Sequence, residues 1–211
     1  MSKKLGKIAK PLAEEYADGR KLYCVPLLFT GKNAPKDYLK LYDKYWVQVE
    51  ENVAKLELSG KADKIYHESV FLAGKEGLES IEQQNKKSHQ LVESKISRGA
   101  LLIALEDKQL LAEYLDWGLC LSVVRSPEVV GKIQDFYREA EERRDKQIVK
   151  RIDDTLKNGE VGVLLMNDES RIRIQPKLPA KIHVFLVHPP ALNDISQWIR
   201  SQIRDNIKKS D

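Results

Sequence analysis

The groups in this chain with reactive potential are four histidines, two cysteines and several clustered carboxylates and arginines. A helical zinc-hydrolase site needs two histidines at i and i+4, and His67, His89, His183 and His188 make no such pair. His183 and His188 bracket an apolar run, and a separation of five places them on opposite faces of a strand. His67 and Glu68, beside Tyr66, have the chemistry of an acid–base pair, but a partly exposed strand end is the better reading. No serine or cysteine sits in a nucleophile motif, which leaves no case for covalent catalysis. Gly74-Lys75-Glu76-Gly77 lacks the spacing of a phosphate loop or a dinucleotide fingerprint and reads as a turn opening a helix. Local motifs therefore lead to no expected catalytic residue, no metal site and no cofactor.

The charged clusters are more informative. Asp153-Asp154 and Asp168-Glu169 are adjacent carboxylates, and neighbours on a helix diverge by about 100°, so neither pair converges on one substrate. The first reads as a solvated helix face and the second as turn chemistry. Arg171, Arg173 and Gln175 alternate with Ile172 and Ile174, which reads as a short strand with both guanidiniums on one face. Such a face holds RNA phosphates or blocks sheet-to-sheet association at a charged edge. Arg143 and Arg144, followed by Lys146, Lys150 and Arg151, form a second basic cluster interleaved with Glu141, Glu142, Asp145 and Asp153. The candidate RNA-binding residues are thus Arg171, Arg173, Arg143 and Arg144. Tyr38, Tyr42, Tyr45 and Trp46 offer base-stacking rings, but they coincide with the apolar stripe of a helix and fit core packing better.

The elements that position these residues follow from apolar periodicity. Strands are expected over residues 21–29, 64–72, 100–105, 118–124, 160–166, 171–175 and 181–187. Pro26 points to an edge position or a bulge for the first. The last has apolar residues on both sides and should be covered on both faces. Helices are expected from Asn33 to about Leu58, over 75–85 and 87–97, from a cap at Asp107, and from Pro127 to about Lys157. A final helix follows Pro189-Pro190. The stripe of the long helix, Val129 to Ala140, vanishes over Glu141–Gln147 and resumes at Ile148, Ile152 and Leu156. A stretch polar all round reads as a solvent-crossing connection and marks a domain boundary. The expected layout is a basic tail (1–20), an N-terminal α/β region (21–125), a connecting helix (126–158) and a C-terminal α/β unit (159–211). The fold class is α/β, strands alternating with helices on a mixed sheet, divisible into two small subdomains.

Composition narrows the class. Thirty-six basic and 32 acidic side chains leave a formal charge of +4, too small an excess for a dedicated duplex-DNA binder. Cys24 and Cys120 lie in apolar runs with neither metal nor redox spacing, as expected of buried free thiols in a reducing cytoplasm. No stretch approaches the roughly 18–20 apolar residues that span a bilayer. A cytoplasmic protein without a membrane partner is expected.

The run from Arg143-Arg144-Asp145 to Leu156, then Asn158-Gly159-Glu160-Val161-Gly162-Val163-Leu164-Leu165-Met166, is a helix, a glycine and an apolar strand. Together with the strand and helix of residues 182–207, it resembles the C-terminal domain of archaeal and eukaryotic peptide release factors and their Pelota-like relatives. The resemblance covers the last third of the chain. It implies a ribosome- or RNA-associated partner. The family's Gly-Gly-Gln tripeptide does not occur here, so the resemblance carries over no catalytic residue. The leading expectation is a non-catalytic protein binding a macromolecule, RNA or a translation component. Its rivals are a small-molecule enzyme with a site assembled from His67, His183 and Glu160, and a homo-oligomer built through helical faces.

Overall fold

The computed structural model describes residues 19–57 and 60–210. Residues 1–18 of the expected basic tail lie outside the described residues. Among the described residues, five strands, β1 (Arg20–Pro26), β2 (Lys64–His67), β3 (Leu101–Ile103), β4 (Val161–Met166) and β5 (Ile182–Leu186), form one sheet in the order β3-β2-β4-β1-β5. Seven α-helices among the described residues accompany them: α1 (Lys36–Leu56), α2 (Gly74–Gln84), α3 (Lys86–Ile96), α4 (Lys108–Val123), α5 (Pro127–Thr155), α6 (Asp168–Ile174) and α7 (Pro190–Ser210). The protein has an α/β fold.

Every strand pair is parallel, not mixed. Parallel neighbours need crossover connections, and a right-handed crossover fixes the face on which its helix lies. The chain steps one way along the sheet from β1 to β2 to β3, and the other way from β3 to β4 to β5. Accordingly α1 and α3 cover one face with Val49, Val53, Leu91 and Val92, joined by α7 through Leu192 and Ile195. The opposite face receives Ile148, Ile152 and Leu156 from the α5 end of the chain and Ile174 from α6. The stripe of α1 is core, as its spacing implies: Tyr42, Tyr45 and Trp46 are buried, and the Tyr45 hydroxyl donates to the Pro26 carbonyl.

Strand β4 also explains its glycine. A Cβ at Gly162 would stand 3.0 Å from both Leu22 and Tyr66 and 3.3 Å from Leu156, so hydrogen at that position lets α5 settle on the sheet. Gly99, with φ of 103°, ends the α3 turn in the left-handed conformation expected of a C-cap glycine.

Three local expectations are corrected. Residues 118–124 continue α4 instead of forming a strand, because apolar density there belongs to a helix with little cover. Residues 171–174 belong to α6, whose start is capped by Asn167 Oδ1 accepting from the Ser170 amide, and Gln175 opens a 3-10 turn. Pro26 lies in an interior strand, but as its last residue, where the missing N–H costs the ladder little. Strand β5, although at the sheet edge, is covered on both faces as its pattern implies: Phe185 and Val187 pack on one and Ile182 and Val184 on the other, while Leu186 is exposed.

The larger correction concerns layout. Strand β4, from the expected C-terminal unit, is inserted between β1 and β2 of the expected N-terminal region. The two regions share one sheet, so 126–158 is no linker between subdomains. Its middle is not wet all round: Arg144 and Asp145 are 2 % and 0 % exposed, while Glu142, Arg143 and Lys146 face solvent.

Candidate functional site

In an open parallel sheet, ligands favour crevices beyond the carboxyl ends of strands whose connections leave to opposite faces. Strands β2 and β4 make such a pair here. Their crevice is filled by the protein's own side chains. Glu68, directly after β2, accepts from the Asn167 backbone N–H on Oε2, and from Asn167 Nδ2, Ser170 Oγ and Arg144 Nη2 on Oε1 at 2.8, 2.8 and 3.1 Å. Glu106, beyond β3, accepts from Arg144 Nε at 3.0 Å and again from Nη2. It also takes the backbone N–H of Ser69, a residue held at a φ of 66°, where a non-glycine residue is strained.

Arg144 is therefore a buried cation between two buried carboxylates. Burial alone would disfavour its charge, but the hydrogen bonds and charges of Glu106 and Glu68 outweigh that and hold it above the usual arginine range. Its guanidinium carbon lies 4.9 Å from the ring centre of Tyr114, a cation–π contact reaching over from α4. The Tyr137 hydroxyl donates to Tyr114 at 2.7 Å. One step on, Asp145 Oδ2 accepts from Lys177 at 2.9 Å and Arg173 at 3.3 Å, and Arg173 also meets Glu141 at 3.2 Å. These contacts clamp the middle of α5 to the carboxyl edge of the sheet.

The clamp marks where α5 leaves the body. From Arg144 to Leu156 the chain rises about 18 Å at ~1.5 Å per residue, close to the ~20 Å length of a six-residue strand. At the amino edge Arg20 Nη1 donates to the Asp153 carbonyl at 3.0 Å, so this half spans the sheet. Residues 127–143 then continue about 25 Å beyond the carboxyl edge. There α5 packs on α4 as an antiparallel hairpin: Trp117 stacks on Phe136 with ring centres 4.8 Å apart, and Tyr114 lies 5.0 Å from Tyr137. Arg143 pairs with Glu113 across the hairpin at 2.5 Å, which holds that carboxyl below the usual range.

The hairpin is unusually bare. Helix α4 is rich in large apolar residues, yet Leu111 is its only buried side chain. Of thirteen large apolar side chains exposed among the described residues, Leu115, Leu119, Val123, Val129 and Phe136 fall within residues 115–136. Leu119 and Val123 are 65 % and 73 % exposed.

The arginines singled out from sequence do not make one open basic face. Arg171 and Arg173 are on a helix, where two positions diverge by about 200°. Arg171 bonds Asp168 at 3.0 Å and Gln175 at 2.7 Å, Arg173 belongs to the Asp145 cluster, Arg144 is sealed in the clamp, and Arg143 is tied to Glu113. The His67, His183 and Glu160 set does not converge either. Glu160 precedes β4 at the amino edge and lies 3.4 Å from Lys64, and His183 pairs in register with Lys21 near that edge. His67 ends β2 at the other edge, its Nδ1 donating to the Glu68 carbonyl at 2.6 Å and its Nε2 lying 3.0 Å from Ser88 Oγ. Cys24 is buried and Cys120 half-buried on α4, both as free thiols.

Sequence reasoning missed Glu68, Glu106, Asn167 and Ser170 as a group. Two signals were present: Glu106 closes the apolar run 100–105, and Arg144 continues the buried stripe at Ala140, Ile148 and Ile152 in steps of four. Among the described residues, no group of three or more His, Cys, Asp or Glu side chains is placed to hold a metal ion, and no helix is long and apolar enough to cross a membrane. No family model, curated protein or solved structure matches the chain.

Proposed function

We propose that this chain acts by association and not by bond-making chemistry, its α/β body presenting the α4–α5 hairpin to a protein partner. The observation that carries the reading is the mismatch in α4, a helix apolar on most sides whose only buried residue is Leu111. Helices of that composition are ordinarily covered, and a gathered apolar patch on a projecting element marks an interaction surface.

An RNA or translation-component partner, implied by the resemblance of the last third to release factors, is the rival. Nucleic-acid association draws on a concentrated positive field. Residues 109–143 carry four basic and seven acidic side chains, and each of the four candidate arginines has a carboxylate partner. Both facts favour protein over RNA at this surface.

Titration of a labelled single-stranded RNA at several salt concentrations separates the two. The docking reading expects Arg143→Gln/Arg171→Gln to leave any RNA binding unchanged, with circular dichroism confirming the fold. A salt-sensitive complex weakened about tenfold by that pair would replace protein docking with RNA binding.

A further inference from the structure

Asn158-Gly159 lies between α5 and β4, and of the seven asparagines in the chain Asn158 is the one followed by glycine. We infer that this dipeptide is a self-modification site. The Gly159 backbone nitrogen attacks the Asn158 side-chain amide and turns the asparagine into aspartate and isoaspartate, with water as the co-reactant.

Such a step needs a backbone nitrogen that is free, unhindered and next to a carboxamide. The Glu160 N–H donates to the Lys157 carbonyl at 3.0 Å, closing a β-turn with Asn158 and Gly159 at its central positions and Gly159 at a φ of 77°. Among the described residues nothing accepts from the Gly159 amide. Both residues are exposed, and a Cβ built on Gly159 would meet no atom within 4 Å. Any other residue type there would set a side chain beside the attacking nitrogen.

The remaining asparagines are placed differently. Each precedes a residue that carries a side chain. Asn85 Nδ2 donates to the Leu28 carbonyl at 2.8 Å and Asn167 Nδ2 to Glu68 at 2.8 Å, which fixes both carboxamides. The amide after Asn52 lies inside α1, where a carbonyl four residues back accepts it.

Atoms balance without any oxidation or reduction. The Gly159 amide gives up its proton to solvent base, and its nitrogen bonds to Asn158 Cγ. The bond from Cγ to Nδ2 breaks, and Nδ2 leaves as ammonia with the proton returned to it. Water then opens the five-membered succinimide at either carbonyl carbon. Cleavage at Cγ gives aspartate, and cleavage at the main-chain carbonyl carbon gives isoaspartate, whose backbone runs through Cβ and Cγ. That route adds one atom to a turn held at both ends: the Lys157 amide donates to Glu160 Oε2 at 2.7 Å, and the Glu160 carbonyl accepts from Lys21 at 3.1 Å. The site is at the amino edge of the sheet, away from the Arg144 clamp.

Incubation of the full chain in heavy-oxygen water at neutral and mildly alkaline pH, followed by peptide mapping in a mass spectrometer, tests the proposal. The expected result in the folded protein is one heavy oxygen taken up at residue 158, in two products of equal mass. Uptake should be faster at the higher pH, because the attacking amide must lose its proton. Asn158→Gln has to close a less favourable six-membered ring and should lose that uptake with an unchanged circular dichroism spectrum. Asn85 and Asn167 should take up label only after unfolding in guanidinium. An unlabelled residue 158 in the folded chain, or label appearing first at another asparagine, overturns the proposal.

Discussion

The two halves of α5 are joined by one uninterrupted helix and live in different surroundings. The half from Arg144 onward lies on the sheet, with Ile148 and Ile152 fully buried, and its polar members Arg144 and Asp145 are matched by opposite charges. The half before it touches chiefly α4, with Ile133 and Ala140 as its buried side chains. Helical backbone is equally satisfied in both, so the difference comes from tertiary cover alone. The body half is a structural element, and the outer half leaves Val129 and Phe136 exposed.

The contrast is broken most directly at the clamp. Arg144→Met leaves Glu68 and Glu106 buried without their cation, and removal of one member of a buried ion-paired set costs about 3–5 kcal/mol. Urea unfolding should show that loss; a change below about 1 kcal/mol would mean the carboxylates find other partners or water. Ile152→Ala, in the body half, should cost about 2–5 kcal/mol through the cavity it leaves.

His67 separates the regions by pH. Burial holds its ring neutral, with the pKa lowered from 6.5 to about 4. Within that window the unfolded chain binds the extra proton, so stability is complete above pH 6.5 and falls as pH drops toward 4. The contribution is at most ~3 kcal/mol. His67→Gln should flatten this part of the stability–pH curve, and an unaltered slope would assign it to other groups. The smallest effect belongs to the arm: Leu119→Ala should change stability by less than about 0.5 kcal/mol. A loss comparable to that of Ile152→Ala would show that the outer half is core after all.

Thiol chemistry sharpens the same contrast. Burial pushes the Cys24 thiol up to about 12, leaving almost no thiolate at neutral pH. A maleimide should therefore label Cys120 on the hairpin while sparing Cys24 until the body unfolds. Equal labelling of both thiols in the native state would contradict the sealed core.

Much of the body was legible because its signals are local. The stripe from Tyr42 to Val53, the cap at Asp107, the glycine at 99 and the apolar runs ending at Met166 and Val187 each encode their element within a few residues. Residues 171–175 misled because arginines alternating with isoleucines fit a strand as well as one turn of helix, and the Asn167 cap decides between them. Residues 118–124 misled for the opposite reason: in a projecting helix, apolar residues are not confined to one face. The paired state of Arg143 and Arg173 was out of reach, since Glu113 and Asp145 lie about 30 residues from them, whereas Arg171 takes its partner, Asp168, from the same helix.

What the amino-acid order settled by itself is the alternation of strands and helices and the side of each that faces inward, because these depend on periods of two and 3.6 residues and on nearby caps. Only the folded molecule decided that β4 enters between β1 and β2, that Arg144 closes the crevice there, and that α4 is left uncovered. Those facts rest on contacts between residues 38 to 140 positions apart, such as Arg144 with Glu106 and Lys21 with Val161. Such pairings depend on the path of the whole chain, which no local pattern records.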